Sequence, residues 1–352
     1  MSSHQSRKVN KLRQILIGAE EDDKDNSELS EDKDKTDSDE EEKVSSYSWF
    51  NKNLNANQKD VVKFCMKSKY LSVIHGPPGT GKTTTVVELL LQTLEKCENA
   101  KILCCAPSNA AVDNIAEKVI KSSKRVNIVR LGHPARILKS VLPRCLDAII
   151  ASQSNSREDR HSQTHLSDTN VDKSGGGISK TILKYSQIIF CTNVSAGGDM
   201  VNKMMSKNSN NAFDLVVIDE CAQATEPCCW IPLQNAEKVV FSGDHMQLAP
   251  FIKSQLAANS GLSDTLFEKV IGHSPHLVRM LKIQHRMNSK IMKWSSECMY
   301  GRKLVAAPKV ADHLLKDNKD LVIPFGQEMS ALENEDQKHF LKESLFCIDT
   351  SS

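Results

Sequence analysis

A chain of 352 residues, 39% apolar and 26% charged, is long enough for about two domains, and its net charge of +2 hides an asymmetry. Residues 20–42 hold 14 Asp or Glu against 3 Lys, a net −11 that leaves +13 on the remainder; such a split raises the prospect of a polyanionic partner, although a solvated lysine-rich surface accounts for it equally well. No apolar run approaches the roughly 20 residues of a membrane span, the polar start MSSHQSRKVNKLRQ lacks a secretory core, and 11 cysteines without C-x-x-C or zinc-type spacing fit a reduced intracellular protein without a metal-ligand framework.

In chain order, residues 1–46 read as a disordered acidic tail after a short helix around Val9–Ile17, because so charged a run cannot bury a core. That tail could recruit a protein partner. Within it SRKVNKLR at 6–13 is a weak nuclear signal whose ordinary reading is a basic helix face. From Ser48 the texture changes to short β-branched runs alternating with helical segments: LSVIH at 71–75, KILCCA at 101–106, RVNIVRL at 125–131, QIIFCT at 187–192, LVVIDE at 215–220 and KVVFSG at 238–243. Continuous apolar strands separated by helix-length segments predict a doubly wound α/β fold with a parallel sheet covered on both faces. The polar stretch 153–180, with three consecutive glycines, predicts a surface insertion or flexible loop, part of a wider insertion at about 134–185. The domains expected are 1–46 as tail, 47–280 as the first complete domain and 281–352 as an incomplete second one. That last part offers a helix over Asn288–Tyr300 and a strand-like LFCID, and the chain is expected to stop early.

The strongest chemical signal is HGPPGTGKTTT at 75–85. Gly76 to Thr83 fits G-x-x-x-x-G-K-[ST], with a strand before it and an amphipathic helix after it. Glycines let successive backbone N–H groups turn toward a phosphate, and the following helix presents its positive end. The cradle comprises Gly76, Pro77, Pro78, Gly79, Thr80, Gly81, Lys82, Thr83 and Thr84. Lys82 is expected to bridge the β- and γ-phosphates of ATP and the Thr83 hydroxyl to ligate Mg²⁺. FDLVVIDECAQ at 213–223 then ends an apolar strand in Asp219-Glu220. An acid at a buried strand tip suits Mg²⁺, and its neighbour suits the attacking water, so Asp219 is assigned metal work and Glu220 general-base work. A solvated strand end is the alternative.

Taken together, HGPPGTGKTTT, CCAPSNAAVDN at 104–114, VVIDECAQATEP at 216–227, SGDHMQLAP at 242–250 and QHRM at 284–287 resemble superfamily 1B helicases, and more narrowly the Upf-type group. RLGHPARIL at 130–138 and CCAPSN are similar to the subgroup of immunoglobulin-μ-binding-protein helicases and DNA-polymerase-α-associated helicase A. The likeness covers roughly residues 47–312. It implies a RecA-like first domain followed by an incomplete second RecA-like domain.

The resemblance implies further roles. Gln58, in LNANQKDVV, would contact adenine, as an amide that both donates and accepts; an ordinary helix glutamine is the alternative. Gln247 would sense the γ-phosphate with Asp244 in support, and Arg286 would stabilise charge as that phosphate departs. Pro107, Ser108, Asn109, Thr192 and Asn193 would hold phosphates of a single strand, though turn formation also selects Ser and Asn. Arg130, His133 and Arg136 are weaker candidates, assigned to a helix surface. The family commonly has Lys, Pro and Tyr where Met246, Ala249 and His285 stand, and uses a β-barrel-like clamp for which no segment precedes Gln58.

The function implied is an ATP-dependent 5′-to-3′ helicase or translocase acting on single-stranded DNA or RNA. It would be a monomer in nucleus or cytoplasm with ATP and Mg²⁺, and this chain is expected to lack full unwinding ability. A nucleotide-dependent binding module without translocation is the alternative. A hexameric phosphate-loop ATPase is disfavoured by Gln58, SGDHMQL and QHRM.

Overall fold

The computed structural model describes residues 11–19, 47–123, 125–158, 175–204, 213–234 and 236–314. These divide into two compact units, one of Thr83–Arg279 with the residues before Gly76, the other of Gly76–Lys82 with the residues from Met280 onward.

The first unit is built on β1 (Leu71–His75), β2 (Ile102–Ala106), β3 (Ile128–Arg130), β4 (Ile188–Thr192), β5 (Leu215–Ile218) and β6 (Val239–Gly243). A seventh strand, β7 (Val278–Met280), completes a sheet of order β3-β4-β2-β5-β6-β1-β7. The six named first pair in parallel. Their apolar runs are buried along nearly their whole length, as a parallel sheet covered on both faces requires. The doubly wound α/β fold read from the strand runs, RecA-like by the resemblance, is the fold observed, and each of β1 to β6 lies inside its predicted run.

The helices are α1 (residues 11–16), α2 (Ala56–Lys67), α3 (Lys82–Lys96), α4 (Asn109–Ser122), α5 (Leu146–Glu158), α6 (Gly175–Tyr185), α7 (Asp199–Met204), α8 (Glu226–Leu233), the short α9 (Gln255–Ala257) and α10 (Leu266–His273). Two departures from the sequence reading concern them. The short helix expected around Val9–Ile17 is α1, but it is not the head of a loose tail: Leu12, Ile15 and Leu16 are buried in the main core with Tyr70 and Leu71, and Arg13 donates to the Gln234 carbonyl at 3.3 Å. An apolar stripe at i, i+3, i+4 finds a partner there. The remainder of the 1–46 assignment lies outside the described residues.

Nor is 153–180 a loop throughout, because α5 and α6 claim both its ends; residues 159–174 lie outside the described residues. The three glycines open α6. First-turn N–H groups have no helical partner in any case, and the helix is anchored by Leu183, which is buried, and Ile182, which packs against the same core.

Starts of helices follow local chemistry. At α2 the Asn55 side chain accepts from Gln58 N at 2.8 Å while Gln58 Oε1 accepts from Asn55 N at 3.1 Å, a reciprocal box. Asn55→Ala should therefore cost about 0.5–2 kcal/mol, read as a lower urea midpoint at unchanged slope.

In the second unit, β8 (Ile283–Gln284) and β9 (Val305–Ala306) pair in parallel. They are joined by α11 (Ser289–Met299), and α12 (Pro308–Ala311) follows. Met292, Tyr300 and Leu304 form a small core with Met280, Met287 and Ala306. The predicted helix Asn288–Tyr300 is α11, with Asn288 as its N-cap; LFCID lies outside the described residues.

Candidate functional site

Parallel strands put all their carboxyl ends on one edge, and the first unit's motif residues follow several of those ends. β5, β6 and β1 are neighbours. Asp219 and Glu220 follow β5, Asp244 and Gln247 follow β6, and the phosphate loop follows β1. β2 and β4 continue the row with Ala106 opposite Thr192 in register, so Pro107–Asn109 and Thr192–Asn193 leave neighbouring strands.

The loop's own geometry explains its glycines. Gly79 and Gly81 have φ of +75° and +80°, the left-handed region that disfavours side chains. A Cβ on Gly76 would meet Lys82 Cβ and Cδ at 2.9 Å. Thr80 is buried, and its hydroxyl donates to the Pro77 carbonyl at 2.7 Å. In the turn so held, a side chain at Gly76 or Gly79 would run into Lys82 or Arg286, and one at Gly81 would be strained by its positive φ. Within the same unit, His285 N–H donates to the Gly79 carbonyl at 2.9 Å, and a Cβ on Gly79 would lie 2.6 Å from Arg286 Cβ.

At the tip of β5, Asp219 is buried and its N–H donates to the Cys105 carbonyl at 2.9 Å. Glu220 has φ 52° and ψ 36°, a left-handed conformation uncommon for a non-glycine residue and concentrated at functional sites. Gln223 Nε2 donates to its Oε2 at 3.2 Å, which fixes the carboxylate's direction.

Beyond β6, Asp244 is 2% exposed. Its Oδ2 accepts from Gln247 Nε2 at 2.7 Å, while Oδ1 takes the Met246 N–H at 3.1 Å and lies 3.0 Å from His75 Nε2. Gln247 is exposed. Burial, with His75 nearby, pushes the His245 imidazole below its ordinary range.

Residues expected at nucleic acid are more engaged with the protein than their types suggest. Ser108 is the N-cap of α4, accepting from Ala111 N at 3.2 Å. Asn109 Oδ1 accepts from Arg130 Nη2 at 2.7 Å. Thr192 Oγ1 lies 2.8 Å from Ser195 Oγ. Asn193 differs: it is 1% exposed, and neither its side-chain oxygen nor its nitrogen has a hydrogen-bond partner among the described residues.

Gln58 is buried, with Oε1 committed to its cap, so it is not an ordinary exposed helix glutamine. Arg130 corrects the expectation more sharply. Far from lying on a helix surface, it ends β3 fully buried, its Nε 2.7 Å from Asp113 Oδ1 and its Nη1 on the Leu131 carbonyl. His133 accepts from Ala135 N at 3.3 Å, starting a single turn that contains the exposed Arg136. In the second unit Arg286 is exposed, on a turn built by the buried Gln284. Gln284 Oε1 accepts from Arg286 N and Met287 N, each at 2.8 Å, and its Nε2 donates to the Met287 carbonyl at 2.6 Å. The motif QHRM by itself gives Gln284 no role; a buried amide spanning the turn supplies one, and only its place two residues before Arg286 hints at it.

The oxygen donors fit a hard cation. A threonine hydroxyl and a carboxylate suit Mg²⁺, which is bound through few protein oxygens and nucleotide phosphates.

A parallel sheet with a glycine-rich turn after β1 and an acidic pair after β5 defines the RecA-like class of α/β domains. Residues 53–174 and 153–255 match one family profile described as an AAA domain, and residues 262–349 match a second with the same description. The chain belongs to this AAA-domain family of Upf-like helicases. It is 41% identical over 300 residues to the DNA-binding protein SMUBP-2 of Mus musculus, covering 78% of this chain and 30% of that one. It is 38% identical to the DNA polymerase alpha-associated DNA helicase A of Schizosaccharomyces pombe, over 78% of this chain and 43% of the relative. An uncharacterized ATP-dependent helicase of Methanocaldococcus jannaschii is 31% identical, with 89% and 52% covered. The chain thus spans under a third to about half the length of these curated relatives.

Proposed function

We propose that this chain is the ATP-binding part of a helicase-type motor, hydrolysing ATP with Mg²⁺ and holding single-stranded DNA or RNA, with 5′-to-3′ movement as the resemblance implies. The observation that carries the reading is the row of motif residues along one carboxyl edge of the sheet, at β1, β6, β5, β2 and β4. Ligands of open α/β sheets bind at that edge.

In this reading the N–H groups of the loop and the start of α3 receive the phosphates, and Lys82 neutralises their charge. Thr83 and Asp219 would hold Mg²⁺, which would supply charge neutralisation to the nucleotide's phosphates. Glu220, aimed by Gln223, takes the proton of the attacking water. Gln247, aimed by Asp244, sits where the γ-phosphate is sensed. Arg286, on its Gln284 turn in the unit that also contains the loop, offers charge to the departing phosphate. Ser108, Asn109, Thr192 and Asn193 line the next two strand ends, where helix N-terminal N–H groups suit a strand's phosphates without reading its bases. Gln58 would meet the adenine from the start of α2. We assign the protein to nucleus and cytoplasm as a monomer; among the described residues no helix is long and apolar enough to cross a membrane.

Steady-state ATP hydrolysis with and without single-stranded DNA or RNA is the test. Stimulation by either supports a motor, and no stimulation by both rules it out. Lys82→Ala should lower turnover by about 100-fold or more, the scale of losing one preorganised charge donor.

A further inference from the structure

The parallel register of β1 and β6 places His75 opposite Gly243, so the residues that follow Gly243 fall beside His75. From this we infer that His75, Asp244 and His245 form a binding site for a borderline divalent cation such as Zn²⁺, separate from the Mg²⁺ of the nucleotide. One ring nitrogen of each histidine and an Asp244 carboxylate oxygen all lie within 4.8 Å of one another. The closest pair, Nε2 to Oδ1, is 3.0 Å apart, near the roughly 3.3 Å between ligand atoms that tetrahedral zinc bond lengths imply. The two imidazole rings are tilted by 46° with centroids 5.0 Å apart, so modest rotation closes the remaining distance.

A second observation points to a ligand. His245 Nδ1 is buried and makes no hydrogen bond among the described residues, although burying a polar atom without a partner is costly. Its ring lies 6.2 Å from that of Phe267, an apolar wall on one side. His75 and His245 are only partly buried, which leaves a coordination position for water.

Two imidazole nitrogens and one carboxylate oxygen select zinc, cobalt or nickel over magnesium, which prefers oxygen alone. To bind, His75 carries its proton on Nδ1 and gives up the Nε2···Oδ1 hydrogen bond, and the cation takes Oδ1 in its place. Oδ2 keeps its bond from Gln247. The cation site and the proposed sensor therefore share one carboxylate, and occupancy should alter ATP turnover. That consequence rests on the function proposed above; the binding itself does not.

Cobalt titration of the full chain in magnesium-containing buffer, without nucleotide, reads the site directly. The expected result is one saturable equivalent of Co²⁺ with visible ligand-field bands but no thiolate charge-transfer band, displaced by Zn²⁺. His245→Ala and His75→Gln should each remove saturable binding, whereas replacing an exposed histidine elsewhere, His276→Ala, should leave it unchanged. Absence of saturable binding, a thiolate band, or equal binding in the two histidine variants would overturn the proposal. If those variants fail the circular-dichroism check for folding, carbethoxylation of the unaltered chain decides: Zn²⁺ should protect His75 and His245, and unprotected rings would refute the site.

Discussion

Glu220→Gln should bind ATP normally and turn it over about 10²–10⁴-fold more slowly, the range that a positioned general base contributes. The substitution keeps the side chain's length and its contact with Gln223, so only proton acceptance is removed. Two structural facts focus the prediction on this residue. Glu220 holds a left-handed conformation directly after β5, and such backbone persists where surroundings enforce it. Its carboxylate is also oriented by a named donor at 3.2 Å. Single-turnover measurements with radiolabelled ATP separate binding from chemistry; a variant that hydrolyses at the parental rate would remove Glu220 from the mechanism.

Replacing Arg130 by Ala should destabilise the first unit by about 3–5 kcal/mol, the cost of leaving one member of a buried ion pair without its partner. Arg130 is 0% exposed and joins the end of β3 to α4 through Asp113 and Asn109. Asp113 Oδ2 also accepts from Leu138 N at 2.8 Å, so the loss spreads to the segment after β3. Gly132 belongs to the same arrangement, since a Cβ there would lie 2.8 Å from Arg130 Nη1. Arg130→Met combined with Asp113→Leu should cost less than either change alone, because no buried charge is then stranded. Urea denaturation of the single and double variants measures both statements. A loss below about 1 kcal/mol for Arg130→Ala would place that side chain in a solvated setting instead.

The core strands were legible because burial on both faces writes itself as an unbroken apolar run: ILCCA and VVFSG are buried at every position. β7 was not legible. Its sequence Val-Arg-Met is short and only partly buried, and no periodicity survives in three residues. The glycine triplet at the start of α6 was misread because composition identifies linkers by glycine, while the first turn of a helix tolerates it. Arg130 was misread for a similar reason: an arginine at the end of an apolar run reads as surface unless its partner is known, and Asp113 lies 17 positions away.

The candidate site was legible where chemistry is local in sequence, as in Gly76–Thr83 and Asp219-Glu220. It was not legible where residues meet through the sheet. His75 and Asp244 are 169 positions apart, and only strand register joins them. Gln284 belongs to the same class, since its role comes from burial rather than residue type.

The proposed motor requires the turn after β1 to grip a triphosphate tail, and equilibrium binding of ATP, ADP and AMP in the presence of Mg²⁺ tests that grip most directly. ATP and ADP should bind, AMP should bind far more weakly because it lacks the β-phosphate that the loop surrounds, and Lys82→Ala should narrow the difference. Binding of AMP as tight as that of ATP, or no binding of any of the three to folded protein, would contradict it.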